Sequence, residues 1–146
     1  MAIAHAMWTH GHSLQVEFLE RGKVERKGFS AKYTGTGMNW LHFAIPTPVI
    51  VNDDRLRVGS VMVRFRCGGS QSIGRVNAIH VYDGETKIVG KDNLNLSPNQ
   101  WHFERIEVPG SPEVQWGLGI SILVGFDPDC SGCWAEFSAA GCDFLS

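Results

Sequence analysis

Apolar and polar residues alternate along much of this chain, and the alternating runs are short. In residues 38–45, for example, Leu41, Phe43 and Ile45 are separated by His42 and Ala44. Successive side chains of a β-strand point to opposite faces, so this spacing predicts half-buried strands rather than helices. Gly, Pro, Asn and Asp separate the runs, and about eight or nine strands are expected.

Turn signals divide the predicted strands. The runs HSLQVEFLE and VERKGFSAKY are predicted to form a hairpin around the turn ERGK. Asp83 and Gly84 lie between two β-rich runs, which is the strongest short hairpin signal in the chain. Pro46 and Pro48 have no backbone N–H to donate to a neighbouring strand, so they predict a corner or an edge.

Short strands with one apolar face each can bury that face only by stacking two sheets or by closing a barrel. We therefore predict an all-β fold, a two-sheet antiparallel β-sandwich of jelly-roll type. The length of 146 residues, of which 43% are hydrophobic, suits one domain spanning residues 1–146.

Charge and cysteine content exclude several classes of protein. Thirteen basic and fifteen acidic side chains give a net charge of -2, so neither nucleic acid nor a membrane surface is an expected partner. No apolar run reaches the length of a membrane span, and no leader peptide is visible. The four cysteines do not form the dense framework of a secreted scaffold, which predicts a cytoplasmic chain with free thiols.

Aromatic residues next to hydrogen-bonding groups are the first candidates for a ligand site. Trp40 and His42 share the strand face opposite the apolar one, and sugar rings stack on such a tryptophan. His80, Tyr82 and Arg64 are further candidates, since Arg64 could meet an anionic group. The alternative is that these side chains form an ordinary solvated sheet face and bind no ligand.

The stretch THGHSLQVE raises a second possibility, a metal site. His10 and His12 lie two residues apart and therefore share a strand face, and Glu17 follows. Read as HxHxxxxE, this stretch resembles the first metal motif of the cupin superfamily, and the resemblance implies a transition metal ion held by His10, His12 and Glu17. Strict alternation would send Glu17 to the other face unless a bulge intervenes. His42, His80 or His102 is the alternative third ligand, from another strand. Two solvated histidines without a metal are the other interpretation.

Three late cysteines form a third pattern. Cys130 and Cys133 are spaced as CxxC, and Cys142 follows nine residues later. Two thiolates in a tight turn could hold one side of a zinc ion, but a second CxxC or HxxxH is missing. Structural cysteines, zinc and a redox or disulfide role all remain open.

Three functions from different classes fit these patterns. We predict a noncatalytic ligand-binding β-sandwich directed at a carbohydrate or another small molecule, with no catalytic residues assigned. A small cupin-like metal-dependent enzyme using His10 and His12 is the first alternative. A self-assembling structural protein is the second, and a homo-oligomer is expected because exposed strand edges in small sandwiches are often covered by a partner.

Overall fold

The chain folds almost entirely into β-strands in a computed structural model that describes residues 2–69, 73–130 and 132–146. Two short 3-10 helices, Gly11–Ser13 and Leu19–Arg21, interrupt the strands near the amino terminus. The strands are β1 (Ile3–His10), β2 (Gln15–Val16), β3 (Gly22–Lys27), β4 (Ser30–Gly35), β5 (Met38–Ile45), β6 (Ile50–Val51), β7 (Asp54–Arg55), β8 (Arg57–Gly68), β9 (Arg75–Asp83), β10 (Thr86–Lys91), β11 (His102–Glu107), β12 (Leu118–Gly125) and β13 (Trp134–Leu145).

The strands form two large antiparallel sheets and one small hairpin. Sheet A has the order β11-β8-β13-β4-β3, and β1 also pairs with β13. Sheet B has the order β10-β9-β12-β5-β2, and β6 pairs with β7 separately. The predicted two-sheet β-sandwich is therefore confirmed. No helix in the described ranges is long and apolar enough to cross a membrane.

The described residues contain more strands than the eight or nine expected, and the largest difference lies near the amino terminus. Residues 3–10 form β1, although their alanines and histidines give a weak apolar alternation. The run 12–20 was predicted as one strand, but the strand there covers only Gln15–Val16. The physical reason is that the chain passes from sheet A to sheet B between β1 and β2, and 3-10 turns make this crossing.

Aromatic rings from both sheets meet in the core. Phe43 on β5 of sheet B lies 5.9 Å from Phe137 on β13 of sheet A, measured between ring centroids. Phe137 also stacks on Phe65 of β8 at 5.9 Å, and all three side chains are buried. Leu41 and Ile45 point inward beside Phe43, as the alternation predicted. The apolar faces of the two sheets are thus packed against each other.

The cysteines differ from the prediction of free thiols. Cys130 and Cys133 are joined by a disulfide in the turn before β13, so the prediction is wrong for this pair. This bond occupies both sulfur atoms that the zinc interpretation needed. Cys67 and Cys142 are free and buried.

Burial raises the pKa of both free thiols to about 12, and the charge of Asp143 contributes at Cys142. A thiol reacts as its thiolate, so both should be inert at neutral pH. We expect Ellman's reagent to label no cysteine in the folded chain, two after unfolding in denaturant, and all four after unfolding with a reductant. Four labelled thiols without reductant would show that Cys130 and Cys133 are not bonded.

Candidate ligand-binding groove

On the outer face of sheet B, the central strand β12 carries the small residues Gly119 and Ser121, followed by Leu123 opposite Trp40. Ser121 of β12 lies between His42 of β5 and His80 of β9 in the strand register. Gly119, two residues before, lies between Ala44 and Tyr82. A low floor between higher walls makes a groove.

This groove encloses a cavity of about 400 Å³, which is within the usual range for small-molecule sites. Its lining combines flat aromatic surfaces with hydrogen-bonding groups. The lining residues are Glu17, Trp40, His42, His80, Tyr82, Lys87 and Ser121.

Hydrogen bonds fix the orientation of the two histidine rings. His42 Nε2 lies 2.8 Å from Glu17 Oε1, and His42 Nδ1 lies 2.8 Å from the hydroxyl oxygen of Ser121. On the other wall, His80 Nε2 lies 2.8 Å from Asp92 Oδ1. Both imidazoles are held by a carboxylate, so the walls present hydrogen-bonding atoms in fixed positions.

Trp40 provides the main aromatic surface of the groove. Its ring centroid lies 5.0 Å from that of His80, and the two rings are tilted by 47°. Trp40 and His80 are on strands separated by β12, so this contact bridges the groove at one place. A ligand here would meet an indole face and polar atoms together.

The groove runs along β12, and its lining residues reach both edges of sheet B. Glu17 donates its backbone N–H to the carbonyl of Trp40 at 2.9 Å and so continues the edge next to β5, whereas Lys87 lies on β10 at the opposite edge. The walls formed by β5 and β9 are therefore each extended outward by a charged side chain.

Four of the five predicted ligand-binding residues lie together in this groove: Trp40, His42, His80 and Tyr82. Arg64 does not line it, because β8 belongs to sheet A and the Arg64 side chain is exposed on that sheet. Lys87 and Ser121 also line the groove and were not predicted. The hairpin at Asp83 and Gly84 could have indicated Lys87, since that turn pairs it with Tyr82.

Of the three predicted metal ligands, the structure brings His10 and His12 together, with ring centroids 4.0 Å apart, but not Glu17. His10 ends β1, and its Nδ1 accepts a hydrogen bond from the backbone N–H of His12 at 3.2 Å, while His12 Nε2 contacts the Lys27 carbonyl. Glu17 instead contacts His42. No cluster of three or more His, Cys, Asp or Glu side chains suited to a metal ion occurs in the part of the chain that the structure describes.

Comparison with family models gives a match over nearly the whole chain. The model of a family of unknown function, DUF6623, matches residues 2–144. The chain belongs to this family. No curated protein sequence matches this DUF6623 chain significantly.

Solved structures show where the fold of this DUF6623 chain recurs. A low-affinity xylan-binding module, CBM86, from Roseburia intestinalis matches with a TM-score of 0.61 at 11% identity, covering 97% of this chain and 96% of the module. An arabinose-bound α-L-arabinofuranosidase matches with a TM-score of 0.52 at 8% identity, over 88% of this chain but 23% of the enzyme. At these identities the similarity shows a shared fold.

Proposed function

We propose that this DUF6623 protein is a noncatalytic carbohydrate-binding module that holds a segment of a polysaccharide in the groove of sheet B. The observation that carries the proposal is the arrangement of Trp40 and Tyr82 around a low floor flanked by hydrogen-bonding side chains. Aromatic faces pack against the C–H faces of sugars, and fixed polar groups meet the hydroxyls.

The hydrogen bonds of the groove support binding rather than catalysis. Glycoside hydrolysis ordinarily needs two carboxyl groups that face the scissile bond, one of them able to give a proton. Glu17 and Asp92 are each hydrogen-bonded to an imidazole. In these contacts the two carboxylates orient His42 and His80.

The shape of the groove supports a chain-like ligand. It lies on the outer face of sheet B, with Glu17 on one side and Lys87 on the other, so a segment of a polysaccharide can be laid into it from outside the sheet. A module of the same fold and nearly the same length is described as binding xylan, which makes xylan and its oligosaccharides the first ligands to test. The cupin-like enzyme, self-assembly and a cytoplasmic location stay predictions.

A glycan array first shows which oligosaccharide binds. Isothermal titration with that oligosaccharide, xylohexaose in the first instance, then tests the groove. Trp40→Ala is expected to weaken binding about tenfold, because it removes the main stacking surface. Gly119→Phe is expected to weaken it further by raising the floor. A Cβ at Gly119 would meet nothing nearer than the Phe43 carbonyl oxygen at 3.9 Å, so the larger side chain fits the backbone.

Gly28→Phe is the matched control for this test. Gly28 lies in the exposed turn between β3 and β4 on sheet A, and a Cβ there would meet nothing within 4 Å. This variant should bind like the unaltered chain. If no glycan on the array binds, or if the Trp40 and Gly119 variants both bind at full affinity, the groove is not a carbohydrate site.

A further inference from the structure

The outer face of sheet A, on the opposite side of the molecule from the groove, carries alternating cationic and aromatic side chains. Phe65 and Cys67 of β8 point into the core, so Arg64, Arg66 and Gly68 face outward. We name the following five side chains the aromatic–cationic band: Lys32, Trp134, Arg66, Trp101 and Arg64.

Each cation in this band lies near an indole ring. Lys32 Nζ is 4.6 Å from the ring centroid of Trp134, and Arg66 Cζ is 4.6 Å from that of Trp101. Arg66 Cζ is also 5.8 Å from the Trp134 centroid, and Arg64 Cζ is 5.8 Å from that of Trp101. These distances are typical of cation–π contacts, so the rings and charges form one continuous surface.

Packing against the sheet fixes the position of Trp134. A Cβ added to Gly68 would lie 2.3 Å from the ring of Trp134, which means that the indole rests directly on the backbone of β8. Trp101 also packs against Phe29 in a T-shaped arrangement, at 6.5 Å between ring centroids, and Phe29 is 52% exposed. Phe29 therefore adds a half-exposed aromatic ring next to the band.

The charges of the band are only partly neutralised. Arg66 Nε donates to Glu136 Oε1 at 2.6 Å, and Glu136, 1% exposed, also accepts a hydrogen bond from Ser30. Burial alone would raise the pKa of Glu136, but the hydrogen bonds from Ser30 and Arg66 and the charges of Arg66 and Lys27 outweigh it and lower the pKa. Glu136 is therefore ionised at neutral pH and compensates Arg66.

Arg64 and Lys32 differ from Arg66 in this respect. Neither has a carboxylate within ion-pair distance in the described ranges, and each contacts an indole, although Lys32 lies opposite Glu25 and Glu136 in the strand register. With Lys27 included, four cations (Lys27, Lys32, Arg64 and Arg66) share this face with two carboxylates (Glu25 and Glu136), which leaves two positive charges in excess on a chain whose net charge is -2. An anionic ligand therefore fits this face.

We propose that the aromatic–cationic band is a second binding site, separate from the groove, for a polysaccharide that carries carboxylates. Sugar rings would lie on Trp101 and Phe29, and uronate carboxylates would pair with Arg64 and Lys32. Nucleic acid is the less favoured occupant, because a chain with a net charge of -2 lacks the excess of positive charge that follows a phosphate backbone. The inference does not depend on what the groove binds.

Polygalacturonate is the probe, and fully methyl-esterified pectin is its matched control, since esterification removes the charge and keeps the sugar. In affinity electrophoresis or isothermal titration we expect the intact chain to bind polygalacturonate, more weakly as salt rises, and to bind the ester poorly. The double variant Arg64→Gln, Lys32→Gln should lose about five- to tenfold in affinity. Arg64→Lys, which keeps the charge, should retain most of the binding.

Trp40→Ala separates this site from the groove, and it should bind polygalacturonate like the unaltered chain. The second site is refuted if polygalacturonate does not bind, if the double variant binds at full affinity while its circular dichroism is native, or if Trp40→Ala abolishes binding. Tighter binding of single-stranded oligothymidylate than of polygalacturonate would also overturn the assignment, in favour of nucleic acid.

Discussion

Replacing Phe137 with alanine is expected to lower the free energy of unfolding by about 3–5 kcal/mol, the usual cost of truncating a buried phenylalanine. Phe137 is fully buried and lies on β13, which pairs with β8, β4 and β1 in sheet A. Its ring contacts Phe43 across the sandwich and Phe65 within its own sheet. The cavity would open where the two sheets meet, and strands on both sides hold the backbone in place.

Urea denaturation followed by tryptophan fluorescence measures this loss. Phe137→Leu should cost clearly less, because it keeps most of the apolar volume. Phe103→Ala is the exposed control, and its effect should stay within about 0.5 kcal/mol. A loss below about 1 kcal/mol for Phe137→Ala would show that this ring does not join the two sheets.

The second large effect is expected at Asp83, which lies at the end of β9 and is 6% exposed. Its carboxylate accepts backbone N–H groups from Gln115 at 2.7 Å, Trp116 at 2.9 Å and Gly117 at 3.1 Å. Asp83→Ala leaves these three donors without their acceptor. We expect a loss of about 2–4 kcal/mol, since hydrogen bonds to a charged group are stronger than neutral ones.

Amide hydrogen exchange distinguishes this effect from general destabilisation. In Asp83→Ala the amides of residues 115–117 should exchange much faster than those of β12, since the carboxylate holds that loop directly. Asp83→Asn keeps one acceptor oxygen, so its loop amides should exchange at rates between those of the unaltered chain and of Asp83→Ala. Unchanged protection of the loop in Asp83→Ala would mean that other contacts hold it.

The alternation of side chains was sufficient to predict the fold class and one wall of the groove. It placed Trp40 and His42 on the face opposite Leu41 and Phe43, and the structure agrees. It could not show that His80 lies across β12 from His42, because strand order depends on contacts distant in sequence. The same limit explains why Arg64 was wrongly assigned to the groove: its strand alternates as clearly as β5 but belongs to the other sheet.

Glu17 shows how spacing alone can suggest the wrong neighbours. Its distance along the chain from His10 and His12 suggested a shared metal, but the chain changes sheets between them. Glu17 therefore meets His42, which is twenty-five residues away in sequence. A side chain near a crossing between sheets cannot be assigned to a face from periodicity.

The central position of β12 has a consequence for how ligand preference can change. Because β12 is hydrogen-bonded to β5 on one side and β9 on the other, the backbone of Gly119 and Ser121 in the floor is held in place whether or not the groove is occupied. Its outward side chains can be exchanged without disturbing the buried ones that alternate with them. A designer could thus redirect recognition at these two positions while leaving the scaffold intact.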